Sequence, residues 1–200
     1  GMYYPTGSLK QELCVEGRRL LYAFAQERHV AHRKCGKLIV ASSEDEYAAI
    51  QAIHDRGVQN GVEGLVWLTA AQAREMEPAL DCVGALWSSE TGIVSSHEFS
   101  EALLTEFEQL GGLTALGTPL EAVERRDSGG FIVRTGGPGP HSLTSPTVVN
   151  AAGLGAQDVA GRIEGLDSSH IPDLVLAKGS YFSCMGRPAL AASSTICTAL

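Results

Sequence analysis

The chain has 200 residues, 44% of them hydrophobic and 19% charged, which is ordinary globular composition with enough apolar material for a real core. Its length suits one large domain or two small ones. A net charge of −8 and a pI near 5.2, without a basic cluster, argue against nucleic acid and anionic membrane surfaces as partners, since both need Lys and Arg to displace counterions.

The five cysteines, Cys14, Cys35, Cys82, Cys184 and Cys197, form no CxxC pair and are odd in number. They read as scattered reduced thiols, and no Cys/His group has the spacing of a metal site. No apolar run approaches the roughly 20 residues that span a bilayer, and no signal peptide opens the chain.

Taken in chain order, Ser8 and Gln11 predict a capping box and a helix to about Arg28 that buries Leu13, Leu20, Leu21 and Phe24. Residues 37–41 form a compact apolar run that predicts a strand. Ser43 and Glu46 open a second helix, ended near Gly57, Asn60 and Gly61. Residues 64–68 predict a strand. Thr69 and Gln72 start a short helix that stops before Pro78, and residues 84–88 predict another strand.

Ser95 and Glu98 cap a helix with Phe99, Leu103, Phe107 and Leu110 along one face, terminated at Gly111-Gly112. His97, in its first turn, reads as a surface residue. Residues 120–126 and 131–135, joined by Asp127-Ser128-Gly129-Gly130, predict a hairpin. Residues 136–140, rich in Gly and Pro, predict a surface loop. Residues 147–151 predict a buried strand, then a Gly-rich turn and a helix over 156–163. Residues 174–177 and 180–184 predict strands. The mixture implies an α/β or α+β fold.

Three patterns could carry chemistry. In the first, Val148-Val149-Asn150-Ala151-Ala152-Gly153-Leu154-Gly155, a strand runs into small residues and then a helix. Such residues let a backbone approach a ligand, and a helix start offers unpaired N–H groups. It is not a full G-x-G-x-x-G fingerprint, because its third position is Asp158, where a small residue must pack helix on strand and a carboxylate repels a pyrophosphate. A tight turn without a ligand is the plain alternative.

The second pattern is Gly1-Met2-Tyr3-Tyr4-Pro5-Thr6-Gly7-Ser8-Leu9-Lys10, where two tyrosines and a turn precede a capped helix. Tyrosine, apolar in body and polar at the tip, suits a small-molecule pocket, although ordinary packing is the commoner use. The third is Lys178-Gly179-Ser180-Tyr181-Phe182. Its lysine could hold a carboxylate and its tyrosine could donate a hydrogen bond; an exposed strand start is the alternative. The six histidines are dispersed, and no Ser/His/Asp or Cys/His set assembles from sequence neighbours.

Together and in this order, residues 1–10, 13–17, 35–41, 91–94, 148–154 and 178–181 resemble the L-2-hydroxyglutarate oxidase/dehydrogenase family, flavoproteins of the D-amino-acid-oxidase-like superfamily. The resemblance covers residues 1–188. It implies an α/β (α+β) fold with an interleaved FAD-binding Rossmann-like domain and a β-sheet substrate domain, incomplete here. Residues 1–34 and 91–169 would belong to the FAD domain, and 35–90 and 170–188 to the substrate domain. Compared with the family, the chain lacks the upstream G-x-G-x-x-G turn, a His before Gly1 and the C-terminal part. The chain alone is therefore expected to bind FAD weakly and to be inactive.

The resemblance implies FAD as cofactor, contacted by Gly1, Leu120, Ala151, Ala152, Gly153 and Leu154, with the Leu120 backbone facing the adenine. It implies oxidation of a 2-hydroxy acid, L-2-hydroxyglutarate first, to the 2-oxo acid by hydride transfer to flavin. Tyr3, Lys10, Lys178 and Tyr181 would bind substrate. Lys178 and Tyr181 are also the catalytic candidates, the usual base being the absent His. Oxygen or a quinone chain would accept the electrons, in the cytoplasm or peripheral to an inner membrane. A sarcosine- or glycine-oxidase-like amine oxidation and a non-catalytic fragment are the alternatives.

Residues 189–200 depart from the family, which continues with a strand resembling Arg-Leu-Ile-Tyr-Pro. They are small and polar with few β-formers, and predict a non-native or disordered tail. One back-translation in GC-rich codons reads in another frame as Pro-Arg-Arg-Leu-Ile-Tyr-His-Leu-His-Gly-Pro, which suggests a frameshift near residue 188.

Overall fold

The computed structural model describes residues 1–179 and 196–199. They fall into two compact units: Gly1–Gly111 with the strand Ile196–Ala199, and a second unit that begins at Gly112.

The first unit is built from α1 (Leu9–Glu27), β1 (His32–Arg33), β2 (Lys37–Ala41), α2 (Glu44–Gln59), β3 (Leu65–Thr69), α3 (Ala70–Met76), β4 (Gly84–Ser88), β5 (Ile93–Val94) and α4 (Ser96–Gln109). Its main sheet has the order β3-β4-β2, with β2 and β3 both antiparallel to β4. Every residue of β2 beyond Lys37 is buried, because both faces of the sheet are covered. Ile39 and Ala41 point to one face, where Ile50, Ile53 and Tyr47 of α2 join Leu86 and Met2. Leu38 and Val40 point to the other, where Ala73 of α3, Cys82 and Ala85 pack. The strand's period of two thus feeds two cores. Gly36, at φ 72°, leads into β2, and a Cβ there would fall inside the Trp87 indole.

The sheet gains a fourth strand, β9 (Ile196–Ala199), parallel to β2. This departs from the expectation of a structureless tail. The run Ile-Cys-Thr contains two β-branched residues, which suffices to pair with an open edge. Residues 189–195 and 200 lie outside the described residues.

The second unit carries the meander β6 (Leu120–Arg125), β7 (Phe131–Thr135) and β8 (His141–Ser145). The expected hairpin is present. The third strand was not expected, because His141-Ser142-Leu143-Thr144-Ser145 is mostly polar and lacks the apolar pattern of a strand. Wholly buried Val123 anchors the unit: its N–H donates to the Arg162 carbonyl at 3.0 Å, and its carbonyl accepts from Glu164 N–H at 2.8 Å. A 3₁₀ turn (Gly153–Gly155) leads into α5 (Ala156–Ala160), shorter than the expected helix over 156–163.

Two expected strands are absent. Residues 147–151 are irregular and mostly exposed, and so are 174–177. Their apolar runs have strand composition, but among the described residues no neighbouring strand accepts their backbone groups. The expected strand over 180–184 lies outside the described residues. Burial along the helices also differs from expectation. In α1, Leu13 and Leu20 are exposed while Gln11 and Ala25 are buried; in α4, Leu103 and Phe107 are exposed, as is its C-cap Leu110. Among the described residues no helix is long and apolar enough to cross a membrane.

Candidate functional site

The loop over residues 1–7 is held by one residue from another element. Asn60, the C-cap of α2, is buried. Its Nδ2 donates to the carbonyls of Gly1 (2.8 Å) and Tyr4 (3.0 Å), and its Oδ1 accepts from the Thr6 hydroxyl at 2.7 Å. Gln11, at the start of α1, donates to the Asn60 carbonyl at 3.1 Å while accepting from Gly7 N–H at 3.3 Å. The backbone on both sides of Tyr3 is therefore fixed, and the side chain of Tyr3 stays exposed.

Each tyrosine of this loop carries a lysine. Lys10 Nζ stands 4.5 Å from the centroid of the Tyr4 ring. Lys37 Nζ stands 4.6 Å from the centroid of the Tyr3 ring and donates to its hydroxyl at 2.8 Å. The Lys10–Tyr4 approach is a cation–π contact, in which the ring's negative face meets an ammonium, whereas Lys37 meets Tyr3 at its polar tip. Of these residues, sequence reasoning named Tyr3 and Lys10 and missed Lys37 and Asn60. Asn60 read only as a helix terminator, and Lys37 only as a strand start.

Beside the loop, a cavity of about 540 Å³ opens between α1 and the segment 88–94, with Gly1, Cys14, Tyr22 and Thr91 in its wall. Glu90 closes one side: its carboxylate accepts from Arg18 at 2.7 Å and Lys34 at 2.8 Å, while its carbonyl accepts from the Tyr22 hydroxyl at 3.1 Å. Burial pushes the Tyr22 phenol above its ordinary range. Arg18 also pairs with Glu63, to which Arg19 donates as well at 3.0 Å. Gly1 lines this cavity; Tyr3 and Lys10 do not.

In the second unit, Ala151, Ala152, Gly153 and Leu154 are exposed. Asn150 shapes the turn: its Nδ2 donates to the Ala156 carbonyl at 2.8 Å, and its Oδ1 accepts from Ala152 N–H at 3.3 Å. Gly153 sits at φ 57° with nothing within 4 Å of where a Cβ would stand. A planar group can lie against this backbone, so the turn fits a flavin ring on steric grounds. The Leu120 carbonyl is occupied by Arg162, at 2.6 Å. Lys178 is exposed in irregular chain. Tyr181 lies outside the described residues.

His97 is exposed, as expected, and meets Glu101 at 3.3 Å one turn along α4. Cys14, Cys35 and Cys82 are unpaired thiols; Cys184 and Cys197 carry no described side chains. Among the described residues no group of three or more His, Cys, Asp or Glu side chains converges.

A family model described as FAD dependent oxidoreductase matches residues 1–195. The chain is 34% identical to a mitochondrial L-2-hydroxyglutarate dehydrogenase of Arabidopsis thaliana, covering 93% of this chain and 44% of that protein. Among solved structures, glycine oxidase from Geobacillus kaustophilus has a TM-score of 0.67 at 27% identity, covering 80% of this chain and 44% of that one. L-α-glycerophosphate oxidase from Mycoplasma pneumoniae, solved with FAD bound, has a TM-score of 0.73 at 20% identity, covering 82% of this chain and 44% of that one. The chain therefore spans less than half the length of each of these three proteins.

Proposed function

Since this chain belongs to the family of FAD-dependent oxidoreductases, we propose that the whole protein oxidises a 2-hydroxy acid, L-2-hydroxyglutarate first, to the 2-oxo acid. The observation that carries this reading is the likeness to a named L-2-hydroxyglutarate dehydrogenase over 93% of the chain. FAD, when bound, supplies the two-electron acceptor for the α-hydrogen. Oxygen or a quinone takes the electrons onward, which suits either the cytoplasm or the periphery of a membrane.

The chain's own residues orient and neutralise. Residues 1–34 and 91–169 are proposed for the flavin side, and 35–90 with 170–188 for the substrate side. In the first unit, Gly1 brings a clamped backbone carbonyl, and Tyr3 and Lys10 offer a phenol and a cation to a carboxylate. In the second, Ala151, Ala152, Gly153 and Leu154 offer an exposed backbone for the ring, Leu120 a strand start for the adenine, and Lys178 an exposed cation. Tyr181 is proposed as a second phenol for substrate. Fixed cations matter because a dicarboxylate loses its hydration on entering a site.

Anaerobic addition of L-2-hydroxyglutarate to the full-length protein is expected to bleach the flavin band, and glycine and sarcosine are expected to leave it. Bleaching by the amines alone would replace this reading with an amine oxidase, which the glycine oxidase likeness makes the second candidate. Lys178→Met should weaken dicarboxylate binding by about 1.5–3 kcal/mol, the scale of a charged hydrogen bond. Gly153→Asn tests the turn: asparagine accepts the left-handed backbone and fills the open space, so the protein should fold yet lose flavin. Normal flavin content in that variant would remove Gly153 from the cofactor site.

A further inference from the structure

We propose that Lys37 and Tyr3 form a binding site for one carboxylate of the substrate, making Lys37 a substrate-binding residue beyond those read from the sequence; this rests on the 2-hydroxy-acid reading above. Donor bookkeeping carries the argument. Lys37 Nζ donates one hydrogen bond, to the Tyr3 hydroxyl at 2.8 Å. The phenol oxygen thus accepts, and its own proton is left to donate elsewhere. An ammonium has three protons and no acceptor, so two more remain on Lys37. A phenol O–H and a cationic N–H side by side match an acceptor-only anion, and charge-assisted bonds of this kind are the strong ones.

Rigidity and access add to this. Asn60 clamps the Gly1 and Tyr4 carbonyls and so holds the Tyr3 backbone, while the hydrogen bond from Lys37 orients the phenol. Lys37 begins β2, whose register against β4 places it opposite Ser88 in the most buried sheet of the unit. Tyr3 is 42% exposed, so a ligand can reach its hydroxyl. Among the described residues no carboxylate lies within ion-pair distance of Lys37. The class of ligand is therefore a small carboxylate, taken in line with the phenol.

The test uses the 200-residue chain, ¹³C-labelled on Lys and Tyr, titrated with glutarate and with its neutral isostere glutaramide by NMR. Glutarate should shift the Tyr3 and Lys37 signals saturably, and glutaramide should not. Lys37→Met should weaken glutarate binding about tenfold, Lys37→Arg should restore most of it, and Tyr3→Phe should cost about threefold, the scale of a neutral hydrogen bond. An unresponsive wild type, equal shifts from glutaramide, or full affinity in Lys37→Met each overturns the site. Failure of the functional reading looks different. If the full-length protein oxidises only amines while Lys37→Met still loses glutarate, the carboxylate site stands. If L-2-hydroxyglutarate is oxidised with unchanged KM in Lys37→Met, the site falls and the function stands.

Discussion

Asn60 shows how much one buried amide can organise. It satisfies two carbonyls and one hydroxyl from a segment more than fifty residues away in sequence. Replacing it with alanine strands the Tyr4 carbonyl in a half-buried place and leaves the Gly1 carbonyl only the long 3.4 Å bond from Tyr4 N–H. Asn60→Ala is expected to lower the stability of the chain by about 1–3 kcal/mol in urea denaturation. A change within error would mean that water replaces the amide at no cost. Thr6→Val, which leaves both carbonyls served, should cost less. Glu63 offers a pH-dependent counterpart. Its hydrogen bond from Arg19 holds the carboxyl below the usual carboxylate range. The depressed folded-state value means the contribution is present above the unfolded pKa and is lost as pH falls through the folded one. Arg19→Met should therefore lower stability slightly at neutral pH and leave it nearly unchanged at low pH, where the carboxyl is protonated in either chain, so that the acid limb flattens. Glu63 is half exposed, so the effect should be small and fade with salt. A steeper acid limb in the variant would contradict this assignment.

The helix starts show local code put to tertiary use. Four caps were expected from Ser or Thr followed three residues later by Gln or Glu, and each hydroxyl does accept from that backbone N–H. Only Thr69 and Gln72 complete the reciprocal box. Gln11 instead ties α1 to Asn60. Glu46 accepts from Ser42 N–H at 2.6 Å, one residue before the cap. Glu98 accepts from Ala31 N–H at 2.7 Å, joining α4 to the start of β1. Glu98→Ala removes that tie and a carboxylate from the positive end of the α4 dipole. It should cost about 1 kcal/mol and speed hydrogen exchange at Ala31; unchanged exchange there would show that the bond does not persist in solution.

The whole molecule exposes much apolar surface. Leu9, Leu13 and Leu20 of α1, and Leu103, Leu104, Phe107 and Leu110 around α4, all stand in solvent among the described residues. Monomeric proteins seldom expose contiguous apolar patches of more than a few hundred Å². The 200-residue chain is expected to bind an apolar dye under native conditions. Leu103→Gln with Phe107→Gln should reduce that fluorescence without lowering stability, because neither side chain is buried. Loss of stability in the double variant would mean that these residues pack in solution. The chain alone is also expected to retain little FAD after desalting, since no complete G-x-G-x-x-G turn occurs in it.

What could be read before the structure was short in range. Caps, the hydrophobic run of β2, the Asp-Ser-Gly-Gly turn of the hairpin and the end of α4 before Gly111-Gly112 follow from neighbours within a few residues. The family was legible because several separated motifs agreed in order. Burial was not legible: the apolar stripe of α4 is real, but a stripe states only which face seeks a partner, not whether one is there. For the same reason residues 147–151 have strand composition without being a strand, while β8 forms from His-Ser-Leu-Thr-Ser because β7 offers it an edge. The Lys37–Tyr3 pair and the Asn60 clamp join residues 34 to 59 positions apart. Such contacts arise from the closing of the sheet and the docking of α2, which no local pattern encodes, so only the tertiary structure could decide them.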